Sequence, residues 1–130
     1  NAAVAELVSR LPDGQREAVR KIYEQMKEDA TYWLGIVTLS EADYETAMDY
    51  LGRMTLLASP DGRWASAARV NLAEAKIEAG DTKAAIKLLR EDRSPQRFGS
   101  RFRAQQIGSD SMPKTSGAQV EDKTTRSPSE

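Results

Sequence analysis

The sequence predicts an all-α protein in which antiparallel helical hairpins stack as an α-α superhelix. Apolar residues recur at steps of three and four from Val4 to Ile107, which is the period of helices that bury one face. A pattern that begins at Tyr32 also returns later in the chain at a constant offset of 38. The matched pairs are Leu34 with Leu72, Asp43 with Asp81, Ala47 with Ala85, and Leu51 with Leu89. A hairpin repeated in this way buries its apolar face only by stacking on its neighbours.

The composition removes several kinds of chemistry. The 130 residues include no cysteine and no histidine, which excludes disulfides, thiolate nucleophiles, imidazole bases and the commonest zinc ligands. Acidic residues are plentiful, but no glycine-rich phosphate loop or nucleophile motif accompanies them. We therefore expect no enzymatic activity, no catalytic or metal-binding residue, and no cofactor.

Charge is nearly balanced over the whole chain but uneven along it. The formal net charge is −1, yet residues 1–60 hold six basic and ten acidic side chains. A balanced domain is not expected to bind nucleic acid, and no apolar run approaches the roughly 20 residues of a membrane-spanning helix. We expect neither nucleic-acid binding nor direct membrane insertion. The sequence does not distinguish a cytoplasmic protein from one of the bacterial envelope.

The first two predicted elements are helices. Asn1 and Ala2, without a methionine, resemble an expression-tag remnant, and we expect the chain to be a segment of a larger bacterial protein. Residues 3–11 carry one apolar stripe and form a short helix. From about residue 15 to residue 41 an unbroken series of apolar or small residues predicts one long helix. The series is Val19, Tyr23, Met26, Ala30, Trp33 and Val37. The alternative is a boundary near Asp29, a possible helix cap.

Four further helices follow from their start and stop residues. Asp43 caps a helix that ends before Pro60 and turns inward Tyr44, Ala47, Met48, Leu51 and Met54. A helix from about Trp64 ends at Gly80, the residue best suited to the left-handed closing conformation, and Asp81 starts the next one. Ser94-Pro95 predicts the start of a last helix, which ends near Ile107 and covers the open end of the stack with Phe98, Phe102 and Ile107.

These residues resemble the tetratricopeptide repeat, whose pattern runs W-x-x-L-G-x-x-Y, then A-x-x-x-F, then P. The first copy, at about 29–60, has Leu34-Gly35, Ala47-x-x-x-Leu51 and Pro60, and the second, at about 67–94, has Leu72-Ala73, Gly80-Asp81 and Ala85-x-x-x-Leu89. The chain departs from the pattern at Trp33, which directly precedes the leucine, and at Thr38 and Lys76, which replace the aromatic residue. The resemblance implies a repeat domain over 3–107 with flanking cap helices.

The resemblance also implies a protein-protein or peptide-binding interaction module, in which the first helix of each repeat lines a groove. The residues at those positions are Tyr32, Ile36, Leu39, Val70, Asn71, Glu74 and Ile77. Burial of the apolar ones in the core is the competing interpretation, and Asn71 could simply bond between helices. A purely structural solenoid segment, a scaffold with no ligand of its own, is the alternative for the chain as a whole.

Two features near the C-terminus suggest partners. Residues 93–107 contain no acidic residue but four arginines, Arg93, Arg97, Arg101 and Arg103. Arginine binds carboxylates through two parallel bonds, so an acidic peptide or the acidic N-terminal half of another copy fits this cluster, and a solvated helix face is the alternative. The polar, low-complexity tail at 108–130 is expected to lie extended along a repeat surface and to allow self-association, with Met112, Pro113 and Val120 as its anchors.

Overall fold

The computed structural model describes residues 2–110, and within that range the protein is helical and has no strand. The helices are α1 (Ala2–Ser9), α2 (Asp13–Ser40), α3 (Tyr44–Met48), α4 (Ala65–Glu78), α5 (Thr82–Arg90) and α6 (Arg97–Asp110), with a π-helix (Asp49–Leu56) that directly continues α3. The predicted all-α class is confirmed. Asn1 and residues 111–130 lie outside the described residues, and with them the tail anchors Met112, Pro113 and Val120.

The helices pack in chain order, each mainly on its neighbours. α2 contacts α3 and the π-helix, α4 contacts the π-helix and α5, and α5 contacts α6. Two buried apolar clusters lie between these layers. The first core consists of Tyr32, Leu51, Leu56, Ala65, Ala68 and Leu72. The second core consists of Ala73, Ala85, Leu89, Ala104 and Ile107.

The turn between α2 and α3 and the turn between α4 and α5 use the same helix cap at an offset of 38. Asp43 Oδ1 accepts a hydrogen bond from the Thr46 amide at 3.3 Å, and Asp81 Oδ1 accepts one from the Ala84 amide at 3.1 Å. Each bond satisfies a backbone N–H that has no partner inside the helix. Both predicted aspartate caps are confirmed.

Both turns also close through a left-handed residue. Gly80 has a φ of 92°, and its counterpart Ala42 has a φ of 61°. The next amide in each turn donates to the carbonyl five residues earlier, from Asp81 to Lys76 at 2.7 Å and from Asp43 to Thr38 at 2.9 Å. Glycine adopts this conformation freely, whereas the Cβ of alanine clashes with its own backbone. The first turn therefore carries a strain that the second one avoids.

The face through which α2 packs on α3, the π-helix and α4 is not the one that carries the periodic apolar series. Tyr32 and Gly35 are buried, with Ile36 and Leu39 packed beside them, whereas Met26, Trp33 and Val37 are 64%, 52% and 49% exposed. The unbroken helix from about residue 15 to residue 41 is confirmed as α2, with no boundary at Asp29. Periodicity therefore located the helix, but α3, the π-helix and α4 pack on a different side of it.

Close contact between α2 and the π-helix depends on Gly35. A Cβ at this position would lie 2.6 Å from both Cδ2 and Cγ of Leu51, a side chain that is completely buried. The π-helix makes a similar contact with α4, where a Cβ on Gly52 would lie 3.3 Å from Leu72 Cδ2. Glycine is thus required at one position and favoured at the other.

The π-helix changes which residues of the second hairpin helix face inward. Leu57 N donates to Gly52 O at 2.9 Å, a bond that spans five residues, and Thr55 Oγ1 donates to Tyr50 O at 2.7 Å. The wider winding buries Leu51, Gly52, Thr55 and Leu56. Met54, which the sequence placed on the inner face, is exposed for that reason.

The two ends of the chain differ in how firmly they pack. α6 buries Ser100, Ala104 and Ile107 against α5, whereas α1 has no buried residue. Arg16 ties α1 to α2, because its Nη2 donates to the carbonyls of Ser9 and Leu11 at 3.1 and 3.2 Å. Of the two terminal helices described, only α6 therefore buries residues against a core.

We predict opposite effects from exchanging the two left-handed residues. Ala42→Gly removes the strain of its turn and should raise the free energy of unfolding by about 0.5–1 kcal/mol, whereas Gly80→Ala should lower it by about 1–2 kcal/mol. The space around Gly80 is open, so its effect comes from the backbone alone. Urea denaturation of both variants measures this difference, and a loss of stability in Ala42→Gly would contradict it.

A second prediction concerns the contact between α2 and the π-helix. Gly35→Ala should lower the free energy of unfolding by about 1–3 kcal/mol, because the added methyl overpacks against Leu51. The matched control is Gly99→Ala in α6, where no atom lies within 4 Å of the new Cβ. The control should be neutral or stabilising by up to about 1 kcal/mol. Thermal melting of both variants checks the prediction, and equal shifts would refute it.

Candidate binding surface

Of the three groove candidates on α2, one lies in the core and the other two pack against it. Tyr32 is buried, and Ile36 and Leu39 are half-buried against the first core. The face of α2 that carries them packs toward the π-helix and α4 rather than toward solvent. No ligand can reach Tyr32 without displacing that packing. Burial in or against the core, the alternative to a groove, therefore describes these three residues.

The groove candidates on α4 occupy a surface whose polar groups already have partners. Asn71 Nδ2 donates to Tyr32 Oη at 3.2 Å and to the Ala67 carbonyl at 2.9 Å. Glu74 accepts a bond from Arg103 of α6 at 3.0 Å. Val70 is partly exposed and Ile77 packs against the second core. Asn71 and Glu74 thus connect helices across this surface.

An aromatic cluster with a carboxylate joins α2 to the start of α4. The rings of Tyr32 and Trp64 stack at 4.4 Å with 8° between their planes, and Trp33 meets Trp64 edge-on at 5.6 Å. Trp64 Nε1 donates to Asp29 Oδ1 at 2.5 Å, and Gln25 donates to the same oxygen at 2.8 Å. The bond from Trp64, then that from Gln25, lowers the pKa of Asp29. The sequence offered Asp29 only as a helix cap.

The arginines of the C-terminal cluster separate into two groups. Arg103 is paired with Glu74, whereas Arg93, Arg97 and Arg101 have no carboxylate partner among the described residues. The guanidinium carbons of Arg97 and Arg101 lie 4.7 and 6.0 Å from the centre of the Phe98 ring.

The phenylalanines of α6 point outward beside these arginines. Phe98 and Phe102 are 66% and 62% exposed, so of the three predicted end-covering residues only Ile107 is buried. We name the set Arg97, Phe98, Arg101 and Phe102 the α6 patch. It combines two exposed rings with two guanidinium groups that have no carboxylate partner among the described residues, of which Arg97 Nη1 donates to the Ser94 carbonyl at 3.2 Å. Such a surface suits a ligand that is both anionic and apolar.

A buried carboxylate fixes α6 and therefore this patch. Asp92, in the loop before α6, accepts bonds from Ser100 Oγ at 2.5 Å and from Ser94 N at 2.8 Å, and Arg69 Nε lies 4.0 Å away. Burial tends to raise the pKa of Asp92, but the bonds from Ser100 and Ser94 and the charge of Arg69 outweigh it, so the pKa is lowered. The sequence did not single out Asp92, since its partners come from α4 and α6.

The described part of the chain holds neither a metal-binding cluster nor a membrane-spanning helix. No group of three or more acidic side chains in residues 2–110 is placed to hold a metal ion. None of the helices in that range is long and apolar enough to cross a membrane. Comparison of the chain with protein-family models, with curated proteins and with solved structures gives no significant match.

We predict that Asp92→Asn destabilises the protein in a pH-dependent way. Because the folded-state pKa is lowered, the carboxylate adds stability above its unfolded pKa of roughly 4, and this stability is lost as the pH falls through the folded pKa. The variant should melt several degrees below the parent at neutral pH, and the difference should shrink in acid. Thermal melting of the parent and the variant from neutral pH into acid measures this difference. The exposed Asp61→Asn is the control, and a deficit independent of pH would contradict the prediction.

Proposed function

We propose that this protein is a tetratricopeptide-like interaction module that binds an acidic segment of another protein through the α6 patch. The observation that carries the proposal is the position of Arg97 and Arg101 beside the exposed Phe98 ring, with a second exposed ring, Phe102, on the same helix. No chemical step is required of the protein. Its helices position the patch, and binding is its activity.

The repeat-like part of the proposal is supported by the two equivalent turns. Asp43 and Asp81 make the same cap, and Ala42 and Gly80 share a left-handed conformation, at the offset of 38 seen in the sequence. Burial of a core between successive layers is also what a stacked solenoid requires. We therefore propose that the helices form the α-α superhelix that the sequence predicts.

The ligand class follows from charge and desolvation. Residues 93–107 contain four basic and no acidic side chains, so their local field attracts anions. An exposed aromatic ring gains free energy when an apolar side chain covers it, and a guanidinium group beside the ring can bind a carboxylate through two bonds. A peptide that alternates acidic and large apolar residues satisfies both groups together.

A structural scaffold is the second candidate, and a specific observation favours it. Of the seven residues expected to line a groove, Tyr32 lies in the core, and Asn71 and Glu74 are engaged in bonds between helices. A surface whose polar groups are already paired offers little to a ligand. On this interpretation the helices serve to separate other parts of an assembly.

We predict that the full chain binds a fluorescein-labelled peptide of alternating glutamate and leucine, measured by fluorescence anisotropy. Arg97→Ala/Arg101→Ala should weaken binding roughly tenfold or more, because two charge-assisted contacts are lost. Raising the salt concentration should also weaken binding, since exposed charges are screened.

The control variant is Lys83→Ala/Lys87→Ala, which removes the same charge from exposed positions on α5. It should bind the peptide like the parent. A peptide with glutamine in place of glutamate should bind far more weakly. If the arginine double variant and the lysine double variant bind the peptide with equal affinity, or if the parent does not bind it at low salt, the proposal is overturned in favour of the scaffold.

A further inference from the structure

α2 carries an exposed apolar seam along much of its length. Its residues follow each other at steps of four and three, the spacing of a helix that packs along another helix. They are Val19, Tyr23, Met26, Ala30, Trp33 and Val37. Val19 is half-buried and the other five are exposed, and the buried face of α2 lies on a different side, around Tyr32 and Gly35. The seam spans about 27 Å at 1.5 Å per residue.

The second repeat indicates what kind of element covers such a face. At the offset of 38, Ala30, Leu34 and Val37 of α2 correspond to Ala68, Leu72 and Ala75 of α4. Leu34 is 47% exposed, whereas Leu72 is 6% exposed and the two alanines of α4 are completely buried. Helices cover this face of α4, since the π-helix and α2 pack on it. The same face on α2 is therefore a surface that fits a helix.

We propose that α2 of a second copy packs antiparallel on this seam and forms a symmetric homodimer. The partner must be a long helix, because Val19, Tyr23 and Met26 lie before the stretch of α2 that corresponds to α4. α2, with 28 residues, is the one described helix of sufficient length, since none of the others exceeds 14.

The seam is complementary to itself in the antiparallel orientation. One register places Trp33 opposite the partner's Ala30, Met26 opposite the partner's Val37, and Tyr23 opposite the partner's Ser40. Large side chains then meet small or medium ones, as interdigitated helix packing requires. A parallel pair would instead oppose Trp33 to Trp33 and Ala30 to Ala30, leaving a clash beside a void.

Charges at the edges of the seam agree with the same register. Arg20 lies on one edge of the seam, and when Met26 faces the partner's Val37 it lies within two residues of the position opposite the partner's Glu41, close enough for the two long side chains to meet. Both side chains are exposed, and Arg20, which lines the cleft between α1 and α2, makes a solvated contact with Glu17 at 3.6 Å. Two-fold symmetry forms the pair between Arg20 and Glu41 twice.

Sedimentation velocity of the full chain from low micromolar to near-millimolar concentration tests the proposal. We expect a monomer-dimer equilibrium, with a blue shift of tryptophan emission on association as Trp33 loses solvent. Met26→Glu/Val37→Glu should give a monomer, with an unchanged far-ultraviolet circular dichroism spectrum because both residues are exposed in the fold. Phe98→Glu, which places a charge on the exposed apolar surface of α6, is the matched control and should still dimerise.

A charge reversal tests the register without touching the apolar residues. Arg20→Glu and Glu41→Arg should each raise the dimer dissociation constant roughly tenfold, and the double variant should restore it, because only the proposed register joins these two positions. A monomer at every concentration would overturn the proposal. Loss of the dimer in Phe98→Glu would also overturn it. So would a double variant in which the effects of the two charge reversals on the dissociation constant add instead of cancelling.

Discussion

The structure depends on the close approach of helices at positions that have no side chain. Leu51 fills the space that a Cβ on Gly35 would need, and Leu72 lies against Gly52 in the next layer. Because both leucines are buried, these contacts set the distances between α2, the π-helix and α4. The first core forms in the space so defined. A small residue at each contact is therefore what allows two layers of helices to share one core.

Polar bonds between helices then fix the orientation of the layers. Trp64 donates to Asp29, Asn71 donates to Tyr32, and Arg103 donates to Glu74, and each of these bonds joins residues of different helices. Such bonds add specificity because a displaced helix would leave a polar group unpaired. They also engage groups that the repeat resemblance assigned to a binding groove. The exposed apolar residues lie instead on α2 and α6, at the two ends of the described stack of helices.

The exposed apolar residues of α2 and those of α6 have the same physical origin. Inside the stack, Leu72 of α4 is covered by the preceding helices, but no described helix covers the equivalent Leu34 of α2. At the other end, α6 covers the second core with Ile107 and turns Phe98 and Phe102 outward. A layered fold always has two terminal layers with only one neighbour each. The seam of α2 and the α6 patch are the two surfaces that follow, one mainly apolar and one basic and aromatic.

The sequence by itself determined the features that depend on neighbours along the chain. Helix periodicity, the caps at Asp43 and Asp81 and the closing residue Gly80 were all read from it, because each is a matter of a few adjacent residues. The repeat offset was also read from it, because a repeat is a comparison of two stretches of sequence and needs no contact between them. What only the tertiary structure decided was the side of α2 that packs, the π-helical winding that turns Met54 outward, and the partners of Asp29 and Asp92. Those features depend on contacts between residues far apart in sequence, such as Asp29 and Trp64, and a periodic pattern defines a stripe on a helix without stating where the neighbouring helix lies.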